Sequence, residues 1–190
     1  MRIQEILTEV TRPNSRGTAG LILHDAGYGR IGKGNNADVF WKPGLPYVLK
    51  LFESSERGYI DYVRIAKANP NPHFPVFKGG VIKINDRYNA IRMEKLDRLD
   101  FSYNIRQVLD GMSDYIDIIK GYNVSHSSKQ VVIQSMERIE SIQPGMTKAC
   151  ELIATIPDAS SDLHGANVMM RGKTLVIIDP VTTLSPITGW

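Results

Sequence analysis

A single cysteine, Cys150, stands in the 190 residues, so the chain cannot form an internal disulfide. It falls in an apolar helical stretch and is expected to be a buried structural thiol. No apolar run reaches the roughly 18 residues that a transmembrane helix needs, and no signal-peptide pattern opens the chain. The expectation is a cytoplasmic protein with no membrane partner. Charge of one sign is also scarce: the net charge is only +3 and the pI about 8.9, with no basic run or basic-aromatic stripe. Direct nucleic-acid binding is therefore not expected. His24, His73 and His126 lack the paired spacing of a zinc site and are expected at the surface or in capping roles. No hydrolase-type nucleophile and base, internal repeat or low-complexity tract is visible. What remains is a chain with 42% hydrophobic residues, enough for a core in one domain or two small lobes.

Against that background one cluster stands out. Ser161-Asp162-Leu163-His164-Gly165-Ala166-Asn167 is followed by the apolar strand Leu175-Val176-Ile177-Ile178 and then Asp179. An Asp five residues before an Asn can set both side chains at one end of a tight loop, and a second Asp beyond the next strand can return to the same place. Phosphoryl transfer needs such a grouping. One carboxylate orients the attacking hydroxyl, while an amide oxygen and another carboxylate hold the Mg²⁺ that neutralises the phosphates.

Upstream, Ile31-Gly32-Lys33-Gly34-Asn35-Asn36-Ala37-Asp38-Val39 has the frame of a glycine-rich loop covering a nucleotide, with Ala37 at the third glycine position and Val39 in register. Glycine lets backbone N–H groups approach phosphates closely. Tyr47-Val48-Leu49-Lys50-Leu51-Phe52 then reads as a strand with one lysine among apolar residues. Lys50 is the candidate cation for the α- and β-phosphates of ATP.

Together these segments resemble the protein-kinase superfamily, and within it the early serine/threonine protein kinases of T-odd bacteriophages. The resemblance runs from about Leu21 to about Ser185. It implies Asp162 as catalytic base, Lys50 as the phosphate-pairing lysine, Asn167 and Asp179 as Mg²⁺ ligands, and the backbone of Met93-Glu94-Lys95-Leu96 as the hinge that receives adenine. Glycine-loop contacts would come from Gly32, Lys33, Gly34, Asn35, Asn36 and Val39, and hinge contacts from Glu94 and Leu96. It further implies host bacterial proteins as substrates, such as RNA polymerase or translation factors, and a part in host transcription shutoff. Ser160 and Ser161 replace the usual His-Arg pair before the catalytic Asp. His164 takes the place of a lysine, as in aminoglycoside-phosphotransferase-like enzymes, and could donate to the γ-phosphate. Pro180-Val181 replaces Phe-Gly after Asp179, and the short stretch beyond it implies a reduced C-terminal lobe without an activation segment. A small-molecule phosphotransferase and a pseudokinase-like binding module are the alternatives.

The expected fold is α+β, a compact bilobal arrangement with residues 1–95 as N-lobe and 96–190 as C-lobe. The N-lobe would hold helices over 2–10 and 18–26, strands near 28–33, 37–41, 47–52, 76–84 and 87–94, and one main helix over 56–69. In that helix Glu56, Ile60, Val63 and Lys67 share a stripe, which makes Glu56 the partner of Lys50, with Asp61 as the alternative. The C-lobe would hold helices over 103–122 and 127–142, a third from Pro144 to Ile156, and a hairpin over 168–178 carrying Asn167 and Asp179 at its outer ends. Trp41 and Trp190 are expected to be packing residues.

Overall fold

The computed structural model describes residues 15–100, 103–122 and 129–184. The helix expected over 2–10, together with His126 and Trp190, lies outside them. The fold is α+β, with an antiparallel sheet in the N-terminal half and five helices among the described residues. The chain forms two compact units. One comprises Met1–Glu56 with Val76–Lys95, and the other Arg57–Pro75 with Leu96–Trp190.

The first unit is a five-stranded sheet of order β1-β2-β3-β5-β4, made of β1 (Gly29–Lys33), β2 (Ala37–Trp41), β3 (Tyr47–Glu53), β4 (Phe77–Lys83) and β5 (Tyr88–Glu94). The central position of β3 explains its composition: Val48 through Phe52 are all buried, so both of its faces are covered. Leu49 and Leu51 join Phe40, Tyr88 and Ala90 in a core closed by Ala19 and Leu23 of helix α1 (Arg16–Asp25). Burying each leucine stabilises the sheet by about 1.5–3 kcal/mol. Lys50, between them, is directed to the opposite face because strand side chains alternate. Helix α1 starts earlier than expected. Ser15 caps it by accepting the Thr18 N–H at 3.2 Å, which relieves one orphan donor of the first turn. The turn between β4 and β5 is set by Asn85, whose side-chain oxygen accepts the N–H groups of Arg87 and Tyr88, each at 2.8 Å.

The second unit contains α2 (Arg57–Ala68), α3 (Tyr103–Ile119), α4 (Lys129–Ile142) and α5 (Met146–Ala154). A sheet of order β6-β8-β9 joins β6 (Asp97–Arg98), β8 (Val168–Arg171) and β9 (Thr174–Ile177), and a ribbon pairs β7 (Ala159–Ser161) with β10 (Val181–Thr183). The helical core includes Met112, Ile116, Met136, Ile139, Ala149 and Ile153. Cys150 lies fully within it, and burial pushes its thiol up to about 12.

Three expectations need correction. Helix α5 begins at Met146 rather than Pro144, because Gly145 takes a left-handed φ of 93° that no helix continues. Glu140, from the last turn of α4, accepts the N–H groups of Gly145 at 2.7 Å and Thr147 at 2.8 Å and so caps α5 from outside. The inward face of α2 is Gly58, Tyr59, Tyr62, Val63 and Ala66; Ile60 is only half-buried and Lys67 is exposed. Two tyrosines offer more apolar area than Ile60 does, and they decide the rotation of the helix. His73 is not at the surface. It is 1% exposed, with Nδ1 2.7 Å from the Leu175 carbonyl and Nε2 3.1 Å from that of Pro144.

Candidate active site

In the first unit the ladder aligns Gly32, Val39, Lys50 and Ile91 as successive cross-strand partners. Paired residues share a face, so the valine after the glycine loop and the buried Lys50 stand side by side on the face turned away from α1. A Cβ on Gly32 would meet the side chain of Val39 at 3.4 Å, an ordinary packing distance. The β1–β2 turn is closed by the Gly34 N–H donating to the Ala37 carbonyl at 2.7 Å. A Cβ on Gly34 would lie 3.3 Å from that same oxygen.

The loop is held at two further points within its unit. Arg16 donates to the Gly34 carbonyl at 3.2 Å, and Asn36 donates from Nδ2 to Glu56 Oε1 at 2.6 Å. Glu56 directly precedes α2 rather than lying in it, and its carboxylate serves the loop through Asn36. Asp61, the other residue weighed as a partner for the lysine, accepts from Arg64 Nη1 at 2.8 Å. Lys33 and Asn35 are exposed on the loop. At the end of β5, Glu94 spends both its N–H and its carboxylate on Val76: the N–H donates to the Val76 carbonyl at 2.9 Å, and Oε1 accepts the Val76 N–H at 2.6 Å. Lys95 lies over the ring of half-buried Trp41, 4.9 Å from its centroid. Leu96, in the second unit, is buried.

The second unit brings Asp162, His164, Asn167 and Asp179 together. Pairing of Val168 with Ile177 in the β8–β9 hairpin places Asn167 and Asp179 at its open end. The Asn167 carbonyl accepts the N–H groups of Ile178 at 2.8 Å and Asp179 at 3.3 Å. Asp162 is tied to the same place, its N–H donating to the Pro180 carbonyl at 2.8 Å. Asn167 is 9% exposed, and its Nδ2 reaches the Asp162 carbonyl at 2.7 Å and Asp162 Oδ2 at 3.1 Å. His164 is turned toward this pair. Nδ1 accepts the Ala166 N–H at 3.2 Å, and Nε2 lies 3.0 Å from Asn167 Nδ2 and 3.7 Å from Asp162 Oδ1.

The donor set suits a hard cation. Among the described residues, each hydrogen bond of the Asn167 side chain runs through Nδ2, which keeps Oδ1 for another ligand, and the Asp179 carboxylate follows on the adjoining chain. No group of three or more His, Cys, Asp or Glu gathers as a metal site among the described residues. Two oxygen side chains are nonetheless what Mg²⁺ commonly takes from a protein when phosphates and waters complete its shell.

The strands β7 and β10 and the tyrosines of α2 were not foreseen. Tyr59 and Tyr62 are fully buried, and both phenols are pushed well above their ordinary range by burial first and then by the negative charge of Asp179. The sequence held one signal for them: two aromatics three residues apart on one helix, Tyr59 and Tyr62.

No protein-family model matches the chain, and no curated protein does. Solved structures do. The Cydia pomonella granulovirus kinase PK-1 is similar at 11% identity over 86% of this chain, with a TM-score of 0.38, and this chain spans 57% of it. Aminoglycoside phosphotransferase APH(4)-Ia is similar at 13% identity over 87% of this chain and 71% of its own, with a TM-score of 0.42. ADP-bound aminoglycoside phosphotransferase APH(2'')-Ib is similar at 14% identity over 95% of this chain and 71% of its own, with a TM-score of 0.39.

Proposed function

We propose that this protein is an ATP-dependent, kinase-like phosphotransferase that passes the γ-phosphoryl group to a serine or threonine hydroxyl of a protein. The observation that carries the reading is the joining of Asp162, Asn167 and Asp179 through the Asn167 side chain and carbonyl. Asp162, whose side chain is 43% exposed, is available to accept the hydrogen bond of an incoming hydroxyl. Asn167 Oδ1 and the Asp179 carboxylate would hold Mg²⁺, which supplies charge neutralisation on the phosphates when bound. Lys50 and the backbone of Gly32 to Asn36 would restrain the nucleotide. Such a site works by positioning and electrostatics and needs no covalent intermediate.

By resemblance, the substrates are host bacterial proteins in the cytoplasm, and the outcome is transcription shutoff. The Asp-Leu-His-Gly-Ala-Asn loop also supports a second reading, a small-molecule phosphotransferase, because His164 sits where aminoglycoside-phosphotransferase-like enzymes carry a histidine. Incubation with Mg²⁺ and γ-labelled ATP, alone, with bacterial lysate and with an aminoglycoside panel, separates the two. Label on the protein itself or on discrete lysate bands supports the protein kinase. Label only on a small molecule supports the second reading, and no transfer despite ATP binding leaves a binding module.

A further inference from the structure

The segment that carries Asp179 is short: β9 ends at Ile177 and β10 begins at Val181. Its aim therefore depends on what holds those two strand ends. Strand β9 is an edge of its sheet, so its outward backbone groups need partners from elsewhere. Both groups of Ile177 find them in one place. The Tyr62 hydroxyl, on α2, donates to the Ile177 carbonyl, and the Ile177 N–H donates to the carbonyl of His73 at 2.9 Å. On the far side of Asp179, Thr183 Oγ1 accepts the N–H of Gly58 in the first turn of α2 at 3.0 Å. Gly58 allows that approach because a Cβ there would lie 3.2 Å from Ala159 Cβ and 3.2 Å from Val181 Cγ2.

One helix thus grips the chain two residues before Asp179 and four residues after it. Tyr62 is itself fixed, buried completely and set edge-on to Phe74 with ring centroids 5.7 Å apart. A tyrosine that packs through its ring and spends its hydroxyl on a strand-edge carbonyl has little freedom to follow a shifting loop.

We infer that α2 is a positioning clamp for Asp179, with Tyr62 and Thr183 as the positioning residues. The inference rests on the reading of Asp179 as a Mg²⁺ ligand. Neither residue touches the nucleotide or the metal in this account. They fix the carboxylate where the cation needs it, and a displacement of about 1 Å at such a site is enough to cost activity heavily.

The test is calorimetric titration of the full chain with ADP, with and without Mg²⁺, which reads metal-assisted binding without any turnover. The wild type should bind ADP more tightly with Mg²⁺, and Asp179→Ala should lose that gain. Tyr62→Phe keeps the packed ring and removes only the hydroxyl; it should reduce the Mg²⁺-dependent gain by about tenfold, as expected for one lost buried hydrogen bond, with Mg²⁺-free ADP affinity unchanged. Thr183→Val should act in the same direction and Thr183→Ser should restore the gain, so this pair decides the matter if Tyr62→Phe fails to fold. A full Mg²⁺-dependent gain in folded Tyr62→Phe and Thr183→Val would overturn the clamp while leaving the Mg²⁺ reading intact. A wild type whose ADP affinity ignores Mg²⁺ would overturn the reading of Asp179, and the clamp with it.

Discussion

Replacing Asn167 by leucine separates its structural work from any role toward a metal. The side chain donates to the Asp162 carbonyl at 2.7 Å and to Asp162 Oδ2 at 3.1 Å from a position 9% exposed. Leucine has a similar volume and fills the space, so the loss is chiefly polar. Leaving the carbonyl without its donor costs about 1–3 kcal/mol. The carboxylate contributes less, because the Asp162 side chain is 43% exposed and water takes up the vacated place; about 0.5 kcal/mol is a discounted share. The sum is about 2 kcal/mol, which lowers the melting temperature by about 4–8 °C for a chain of this size. The assay is thermal unfolding without nucleotide or Mg²⁺. Asn167→Asp sharpens it, since a carboxylate would then face the Asp162 carbonyl and carboxylate. Its pKa in the folded state would be raised, so stability should be nearest to wild type at low pH and fall as pH rises through that pKa. A leucine variant that melts with the wild type, or an aspartate variant with no such pH trend, would refute the account of the loop.

Two further predictions concern the second unit. Glu140 is held below its ordinary 4.5 by the N–H groups of Gly145 and then Thr147; its contribution is therefore present above 4.5 and lost as pH falls through the depressed value, and Glu140→Gln should flatten this part of the acid-unfolding curve. Cys150, fully buried and with its thiol pushed up to about 12, should react with a thiol reagent only at the rate of unfolding, and rapid labelling of the native protein would contradict its placement.

The sequence made the centre of each unit legible because strong local patterns coincided there. The single lysine in Tyr47–Glu53 has apolar residues on both sides, the pattern of a strand covered on both faces, and β3 is the middle strand. The Asn167 and Asp179 ends of the hairpin followed from two short apolar runs around Gly172, which takes the positive φ of 61° that the turn requires. The unforeseen parts depend on distant partners. Strands β7 and β10 are three residues long, too short for alternation to register, and they exist because Ser161 pairs with Val181. The start of α5 is decided by a carboxylate on another helix, against the local preference for Pro144 in a first turn. His73 is buried by carbonyls of Leu175 and Pro144, far away in the chain. The face of α2 is set by what Gly58 and Tyr62 meet, and a helical stripe alone does not reveal that.

If Asp162 orients a hydroxyl for attack on a Mg²⁺-bound nucleotide, Asp162→Asn should separate ATP affinity from ATP turnover, and both are measured on the one variant. The asparagine keeps the shape of the side chain and the backbone hydrogen bond to Pro180. Nucleotide affinity should stay close to wild type while turnover falls by about 10²–10⁴-fold, the scale of a lost general base. Turnover within a few-fold of wild type would contradict that role for Asp162.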